Sequence, residues 1–220
     1  MVGRREPAAS ITLAHLTHST IARNGGDGGG GILNEGTLFV TNTTFAQNSA
    51  AGFGGSLLTA GSNSVFILQN TTFAENWSRG VGGGISGRAI VQNTILARNT
   101  AAGPNGIPNE CGGPVTSLGN NLISDPRFCT ITLRPGNLTG DSGLDAFTDT
   151  GRPGNGHFPL LPTSQTIDAG SDAVCPRTDQ LGRRRIGTCD IGAIEFRDRD
   201  DRQHDEEGDQ HDVDSATAPH

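Results

Sequence analysis

The chain has 220 residues, of which 33 are glycine and only 5% are aromatic, so thin stacked layers suit it better than an aromatic-rich globular core. Its formal net charge is −7, and no basic face of the kind that nucleic-acid binding requires is evident. No stretch approaches the ~18 apolar residues of a membrane span, and residues 1–7 lack the apolar region of an export signal.

An internal repeat dominates the first hundred residues. Four segments, 19–24, 43–48, 71–76 and 93–99, line up and close on Asn24, Asn48, Asn76 and Asn99. A repeat of between twenty and thirty residues indicates a stacked, quasi-one-dimensional fold rather than a single compact core.

The aligned columns have the period of a β-strand. Two apolar columns stand two residues apart, so alternate side chains point inward; these columns are Ala14, Leu38, Phe66, Ala89 and Leu16, Val40, Leu68, Val91. A third apolar column comprises Ile21, Phe45, Phe73 and Leu96. The alanine that follows each of its members predicts a tight inner bend, and the next, variable column (Arg23, Gln47, Glu75, Arg98) is expected to face water.

The repeated asparagines and glycines specify the corners. Stacked asparagine amides can donate to and accept from each other between parallel strands, and asparagine tolerates the left-handed backbone of sharp corners. Glycine runs at 28–31, 54–55 and 82–84 supply positive φ and close backbone approach. The pattern predicts an all-β, right-handed parallel β-helix of the pectin-lyase-like solenoid class, with about four or five coils and a loop-rich C-terminal cap.

The chain divides into three predicted parts. Residues 1–124 form the coils, with a fifth coil through 115–123; because the repeat already runs at Ile11, we expect the start to be truncated. Residues 125–196 continue the same domain as a cap that closes the open end and hides its edge strands. Residues 197–220, acidic and nearly without apolar side chains, are expected to be a disordered tail.

Four cysteines form two sequence-local pairs, Cys111/Cys129 and Cys175/Cys189. Neither pair has a metal-ligand spacing, so we interpret them as two disulfides and infer an oxidising, extracytoplasmic setting. The alternative is four buried thiols in a cytosolic protein.

Ordered motifs between residues 25 and 196 resemble a bacterial family. They are Glu110-Cys111-Gly112-Gly113, Leu118-Gly119-Asn120-Asn121-Leu122, Leu160-Leu161-Pro162, Ile167-Asp168-Ala169-Gly170, Thr178-Asp179-Gln180-Leu181-Gly182 and Cys189-Asp190-Ile191-Gly192-Ala193-Ile194-Glu195. Together they resemble the choice-of-anchor Q domain. In the coils, Gly-Gly-Gly-Ile at 29–32 and 82–85 alternates with Phe-x-x-Asn at 45–48 and 73–76, which resembles polymorphic outer-membrane protein repeats. The resemblance implies a right-handed parallel β-helix, export and display on the bacterial surface, and it implies no established enzymatic activity.

Few residues suggest catalysis or metal binding. The acids in the aligned coils, Asp27, Glu35 and Glu75, share no column, whereas glycoside hydrolysis needs two facing carboxylates. Arg23 and Arg98 share a column but lack a stack of aspartates beside them. We therefore assign no catalytic, cofactor-binding or metal residues.

Aspartates in the C-terminal half suggest two alternatives. Asp168, Asp172, Asp179 and Asp190 could bind calcium, although ordinary turn chemistry is the simpler interpretation. Asp179 and Glu195 could instead pair with an arginine among 183–185 and pin the cap. We interpret His157 as a structural hydrogen-bonding residue, and the tail histidines, His204, His211 and His220, as part of a solvated linker.

The sequence favours a secreted or surface-displayed protein with a structural, adhesive or recognition role, whose lateral faces engage carbohydrate or a surface protein. Phe39, Val65, Ile67 and Ile90 point away from the inner columns and could form an apolar contact stripe. The alternative is a polysaccharide lyase or glycoside hydrolase with its site in a groove beside the strands.

Overall fold

The computed structural model describes residues 13–198. The predicted acidic tail, apart from its first two residues, and the predicted truncated start therefore lie outside the described residues. The strands, in chain order, are β1 (Leu13–Ala22), β2 (Gly25–Gly26), β3 (Ile32–Asn34), β4 (Thr37–Ala46), β5 (Ser49–Ala50), β6 (Leu57–Thr59), β7 (Val65–Ala74), β8 (Trp77–Ser78), β9 (Ile85–Ser86), β10 (Ala89–Gln92), β11 (Ile95–Ala97), β12 (Thr100–Ala101), β13 (Ile107–Pro108), β14 (Cys111–Ser117), β15 (Leu122–Ile123) and β16 (Cys129–Thr132). A 3₁₀ turn, Pro126–Phe128, separates the last two.

Each of the first three coils contributes a long strand and two short ones, and equivalent strands of successive coils stack in parallel. β1, β4, β7, β10, β14 and β16 pair in that order, and β11 and β15 extend the long strands beyond a corner. The second face is formed by β2, β5, β8 and β12, and the third by β3, β6, β9 and the start of β14. The predicted parallel β-helix is confirmed.

The strand register reproduces the sequence columns. Ile21 pairs with Phe45, Phe45 with Phe73, and Phe73 with Leu96. The Phe45 and Phe73 rings stack inside the coils with centroids 4.4 Å apart, and both side chains are fully buried. Aromatic stacking of this kind adds to the stabilisation from burial. The predicted fifth coil is also present, since Val115 pairs with Ala89 and Ile123 with Leu96.

Two corners per coil use left-handed backbone, but not at the residues expected. Positive φ occurs in the first polar column (His18, Asn42, Asn70, Asn93) and in the variable column (Arg23, Gln47, Glu75, Arg98). The closing asparagines themselves do not have positive φ, so that expectation was wrong. They are hydrogen-bonding residues, of which Asn48, Asn76 and Asn99 are buried and Asn24 is exposed, and the exposed or half-exposed residue before each one makes the turn.

The solenoid continues beyond the predicted boundary. β16 pairs with β14, and Leu138 forms a bridge with Leu122, so residues 129–138 add a partial sixth coil. The repeat was expected to end at about residue 125. In the structure, coil-like pairing continues to Leu138.

Residues 139–196, which we call the lateral segment, lie along the side of the solenoid rather than over its end. They hydrogen-bond to five successive coils, at Thr20, Thr44, Thr72, Asn93 and Asn120. A cap over the open end was expected because the segment lacks the repeat. Its contacts show instead that it covers the outer surface of the coils.

This placement changes the role of the alanine column. Ala46, Ala74 and Ala97 point outward and pack with Leu144, Phe158 and Ile191 of the lateral segment in a second apolar cluster. The expected tight inner bend was wrong. The residue is small because a second layer of chain lies directly on it, and extra methylene groups would overpack the contact.

Both predicted disulfides are present. Cys111–Cys129 joins the fourth coil to the sixth, and Cys175–Cys189 closes a loop in the lateral segment. Each closes a short loop and, in the chain-entropy model, stabilises the folded protein by roughly 3 kcal/mol by restricting the unfolded chain.

Glycine pairs set the contact between coils. Gly54 and Gly82 have φ of +65° and +73°, whereas the following Gly55 and Gly83 have no room for a side chain. A Cβ on Gly55 would lie 2.1 Å from the carbonyl oxygen of Gly83 and 2.4 Å from that of Trp77. Glycine therefore serves both predicted purposes at adjacent positions: the first of each pair adopts positive φ, and the second allows close approach of the backbone.

Gly55→Ala should destabilise the protein by about 3 kcal/mol or more, because the clash is with backbone that cannot rotate away. Chemical denaturation measures the change. Gly151→Ala is the control, since nothing lies within 4 Å of its added Cβ and only its φ of +75° is unfavourable; it should cost about 1 kcal/mol. Equal losses in the two variants would show that coil spacing does not depend on Gly55.

Candidate functional site

One outer face of the solenoid carries an in-register apolar stripe. His15, Phe39, Ile67 and Ile90 occupy a single column on the long strands. The His15 and Phe39 rings are stacked, with centroids 4.8 Å apart. Phe39, Ile67 and Ile90 are half-buried, and none belongs to either apolar cluster of the described residues. Of the four predicted residues, Val65 alone lies in the neighbouring column, where it pairs with Thr37.

Polar side chains border this stripe on the side of the lateral segment. The adjacent outward column is Thr17, Thr41, Gln69 and Gln92. Gln69 Nε2 donates to the Val174 carbonyl, and Asn42 Nδ2 donates to the Thr178 carbonyl at 2.7 Å. The lateral segment thus borders this partly exposed surface, which we call the stripe face (His15, Phe39, Ile67, Ile90 and the polar column).

The acids weighed for catalysis lie at three different corners of the coils. Asp27 follows β2, Glu35 follows β3, and Glu75 occupies the corner after β7. Glu75 accepts a hydrogen bond from Gln47 at 2.9 Å and lies 3.7 Å from Arg98. The structure therefore does not bring the three carboxylates together across one cleft.

An asparagine ladder, buried from Asn48 to Asn99, runs along the next corner. The Nδ2 of Asn24, Asn48 and Asn76 each donates to the Oδ1 of the asparagine one coil further, at 3.2, 3.0 and 2.8 Å. The same oxygens accept the backbone N–H of the preceding asparagine. The predicted ladder is confirmed, and it satisfies backbone groups as well as side chains.

Glu110 ends the ladder, and sequence reasoning missed it. Its Oε2 accepts from Asn99 Nδ2 at 2.6 Å and from the Asn99 backbone N–H at 3.3 Å, and its Oε1 accepts from Ser124 Oγ. Burial raises the pKa of this carboxyl to about 7 despite these donors. Its only sequence signal was its position directly before Cys111.

A small cleft beside Glu110 also contains Asp125, Asp141 and Arg98. Hydrogen bonds from Arg127 lower the pKa of Asp125, so two neighbouring carboxylates have pKa values pushed apart. Such a pair is typical of acid–base catalysis. Glu110 is fully buried, however, and both of its oxygens are engaged by the protein, so we assign it to the ladder.

Three of the four aspartates weighed for calcium accept hydrogen bonds from backbone N–H groups, and the fourth, Asp168, donates its own backbone N–H to one of them. Asp190 accepts from the N–H of Asp168 and Phe196 at 2.7 and 2.6 Å, and Asp172 accepts from Cys189 at 2.8 Å. Asp179 accepts from the N–H of 181, 183 and 195. Within residues 13–198, no group of three or more His, Cys, Asp or Glu side chains is placed to hold a metal ion.

One buried ion pair pins the lateral segment. Arg185 and Glu195 are 2.9 Å apart and almost fully buried, as predicted for Glu195, whereas Asp179 pairs with backbone instead. Arg185 also donates to Asn42 Oδ1 at 3.2 Å, which links the segment to the second coil. Nearby, burial raises the pKa of Asp190 to about 7.

The described histidines have structural contacts. His18 begins the first polar column and lies 3.3 Å from Asn42 Nδ2. His157 Nδ1 lies 2.7 Å from the Asn155 carbonyl, consistent with the expected structural role. The tail histidines lie outside the described residues.

Comparison with known proteins does not assign the chain to a family. No protein-family model, curated protein or solved structure matches this chain. Within residues 13–198, no helix is long and apolar enough to cross a membrane.

Glu110→Gln should change how stability depends on pH. The unfolded carboxyl releases its proton near pH 4.5 and the folded one near pH 7, so the parent loses up to on the order of 3 kcal/mol of unfolding free energy as pH rises through that window. Glutamine keeps the ladder contacts without ionising. The variant should therefore gain stability relative to the parent between pH 4 and about 8 in chemical denaturation.

Asp190 also has a raised pKa, and it is present in both the parent and Glu110→Gln. The difference between their two curves of unfolding free energy against pH therefore reports Glu110 alone. Glu110→Ala should be destabilised at every pH, because it leaves the Asn99 donors unpaired. Parallel curves for the parent and Glu110→Gln would contradict the role given to this carboxyl.

Proposed function

We propose that this chain is a recognition module of a secreted or surface-displayed protein, and that its stripe face binds carbohydrate. The observation that carries the proposal is the in-register apolar column left uncovered on one side of the solenoid. By contrast, the lateral segment covers the outward side chains beyond the corner of the long strands, at Thr44 and Thr72 and in the alanine column.

The stripe face has the chemistry of a sugar-binding surface. The His15 and Phe39 rings stack on each other, and with the branched side chains of Ile67 and Ile90 they form a continuous apolar platform that the C–H groups of sugar rings can contact at the ring edges. The parallel column of Thr and Gln supplies hydrogen-bond donors and acceptors for hydroxyl groups. Because both columns repeat from coil to coil, the surface suits an extended polymer.

The two disulfides support a location in an oxidising compartment, outside the cytoplasm. Placement on a bacterial surface is supported by the motif resemblance to choice-of-anchor Q proteins.

The alternative function is a polysaccharide-processing enzyme. The cleft at Glu110 is the observation that favours it, because two carboxylates of different pKa lie there beside Arg98. The burial and hydrogen bonds of Glu110 favour the ladder role, so recognition without turnover is the function we propose.

A glycan array probed with the full chain, with and without calcium, tests the proposal, and product release is scored in the same wells. Phe39→Ala should weaken binding at least about tenfold, because the platform loses its central ring. Phe53→Ala, which removes an exposed phenylalanine from a turn away from the stripe face, is the matched control and should bind as the parent does.

Absence of binding to every glycan, or equal losses in the two phenylalanine variants, would contradict the proposal. Turnover of a polysaccharide that Glu110→Gln abolishes would establish the alternative.

A further inference from the structure

A cleft lies within the lateral segment. It opens between the loops 172–178 and 184–189, which Cys175–Cys189 ties together, and its volume is about 800 Å³. That volume is in the range of sites that hold small molecules or single groups of a larger ligand.

Arginine dominates the wall of this cleft. Arg177, Arg184 and Arg185 line it, together with one acid, Asp172. Arg177 and Arg184 are exposed, and neither takes part in the ion pairs formed within residues 13–198. Arg185 is neutralised by Glu195, and Asp172 can offset only one of the other two. The cleft is therefore positively charged on a chain whose formal net charge is −7.

Arg185, which lines the cleft, also has one donor without a partner among residues 13–198. Its terminal nitrogens are held by Glu195, Asn42 and the Gly192 carbonyl, whereas its buried Nε–H has no acceptor within those residues. A buried donor without a partner is unfavourable, and an anionic oxygen is its natural complement. The fixed position of Arg185 also means that little conformational freedom would be lost on binding.

The cleft adjoins the stripe face. Gln69 stands two residues along β7 from Ile67 and donates to Val174, directly before Cys175 in the loop that carries Arg177. Thr178, in the same loop, accepts from Asn42 through its carbonyl. A polymer lying on the stripe face could thus place a side group in the cleft.

From this arrangement we infer that the cleft binds the anionic groups of an acidic polysaccharide, either uronate carboxylates or sulfate esters. Guanidinium groups recognise both through paired, charge-assisted hydrogen bonds. The inference rests on the proposed carbohydrate recognition and adds to it the class of glycan.

The test measures the affinity of the full chain for three immobilised polymers: polygalacturonate, dextran sulfate and neutral dextran. Binding to an acidic polymer and not to neutral dextran is expected, and the two acidic polymers distinguish carboxylate from sulfate. Raising the salt concentration should weaken the binding.

The double variant Arg177→Gln/Arg184→Gln should lose at least about tenfold in affinity. Arg79→Gln/Arg152→Gln is the matched control, because it removes the same charge from exposed arginines that do not line the cleft; its affinity should stay within about twofold of the parent. Unchanged denaturation midpoints would show that both variants are folded.

Equal losses in the two double variants would overturn the inference, since they would indicate diffuse attraction to a polyanion. Failure of both acidic polymers to bind would also overturn it, while binding of neutral glycans that depends on Phe39 would leave the proposed function standing. Loss of all binding in both assays would reject the two together.

Discussion

The structure depends on one constraint, that equivalent residues of successive coils stack directly on each other. A buried polar side chain in such a stack meets a copy of itself above and below, so it must both donate and accept. Asparagine meets this requirement, whereas a repeated buried charge would repel its neighbours. Asn48, Asn76 and Asn99 each donate backward to a carbonyl of the preceding coil and forward to the next acceptor of the ladder. No ladder asparagine follows Asn99, so its forward donor needs a partner that accepts without donating in return. Glu110 fills that position, and the cost is a carboxyl held in a dry site with its pKa raised to about 7.

The same stacking limits the core. A coil is too thin to bury more than one layer of inward side chains, so Phe45 and Phe73 fill the interior while their neighbours Ala46 and Ala74 face outward. The lateral segment makes a second core on that outer surface and secures itself to five coils. The lateral segment buries the outer side of only the last part of the long strands, beyond their corner, and leaves the part before the corner uncovered by that segment, which is why the stripe face stands apart.

The sequence predicted correctly those features that recur with the repeat of the coils or follow from local spacing. The inward columns, the ladder, the paired glycines and the disulfides follow from alternation, amide chemistry and cysteine spacing, and all are present. The sequence did not predict contacts between residues that lie far apart along the chain. The Thr20 contact with Gly156 spans 136 residues, and no local pattern indicates that Ala46 is covered from outside. Glu110 was missed for a related reason, because it ends a column without belonging to the repeat that defines it.

The two kinds of chain supply different parts of the proposed binding surface. Stacked coils repeat one chemistry at every level, so they can make a long uniform platform but cannot easily place a single charge. The lateral segment has no repeat and can position individual groups such as Arg177 and Arg184 at one level. Its loops are held by a disulfide, by the buried pair Arg185–Glu195 and by carboxylates that accept backbone N–H groups. Those contacts fix the loops through groups other than the two exposed arginines, which leaves their charges available to a ligand. Affinity for an extended polymer would then come from the coils and selectivity from the lateral segment.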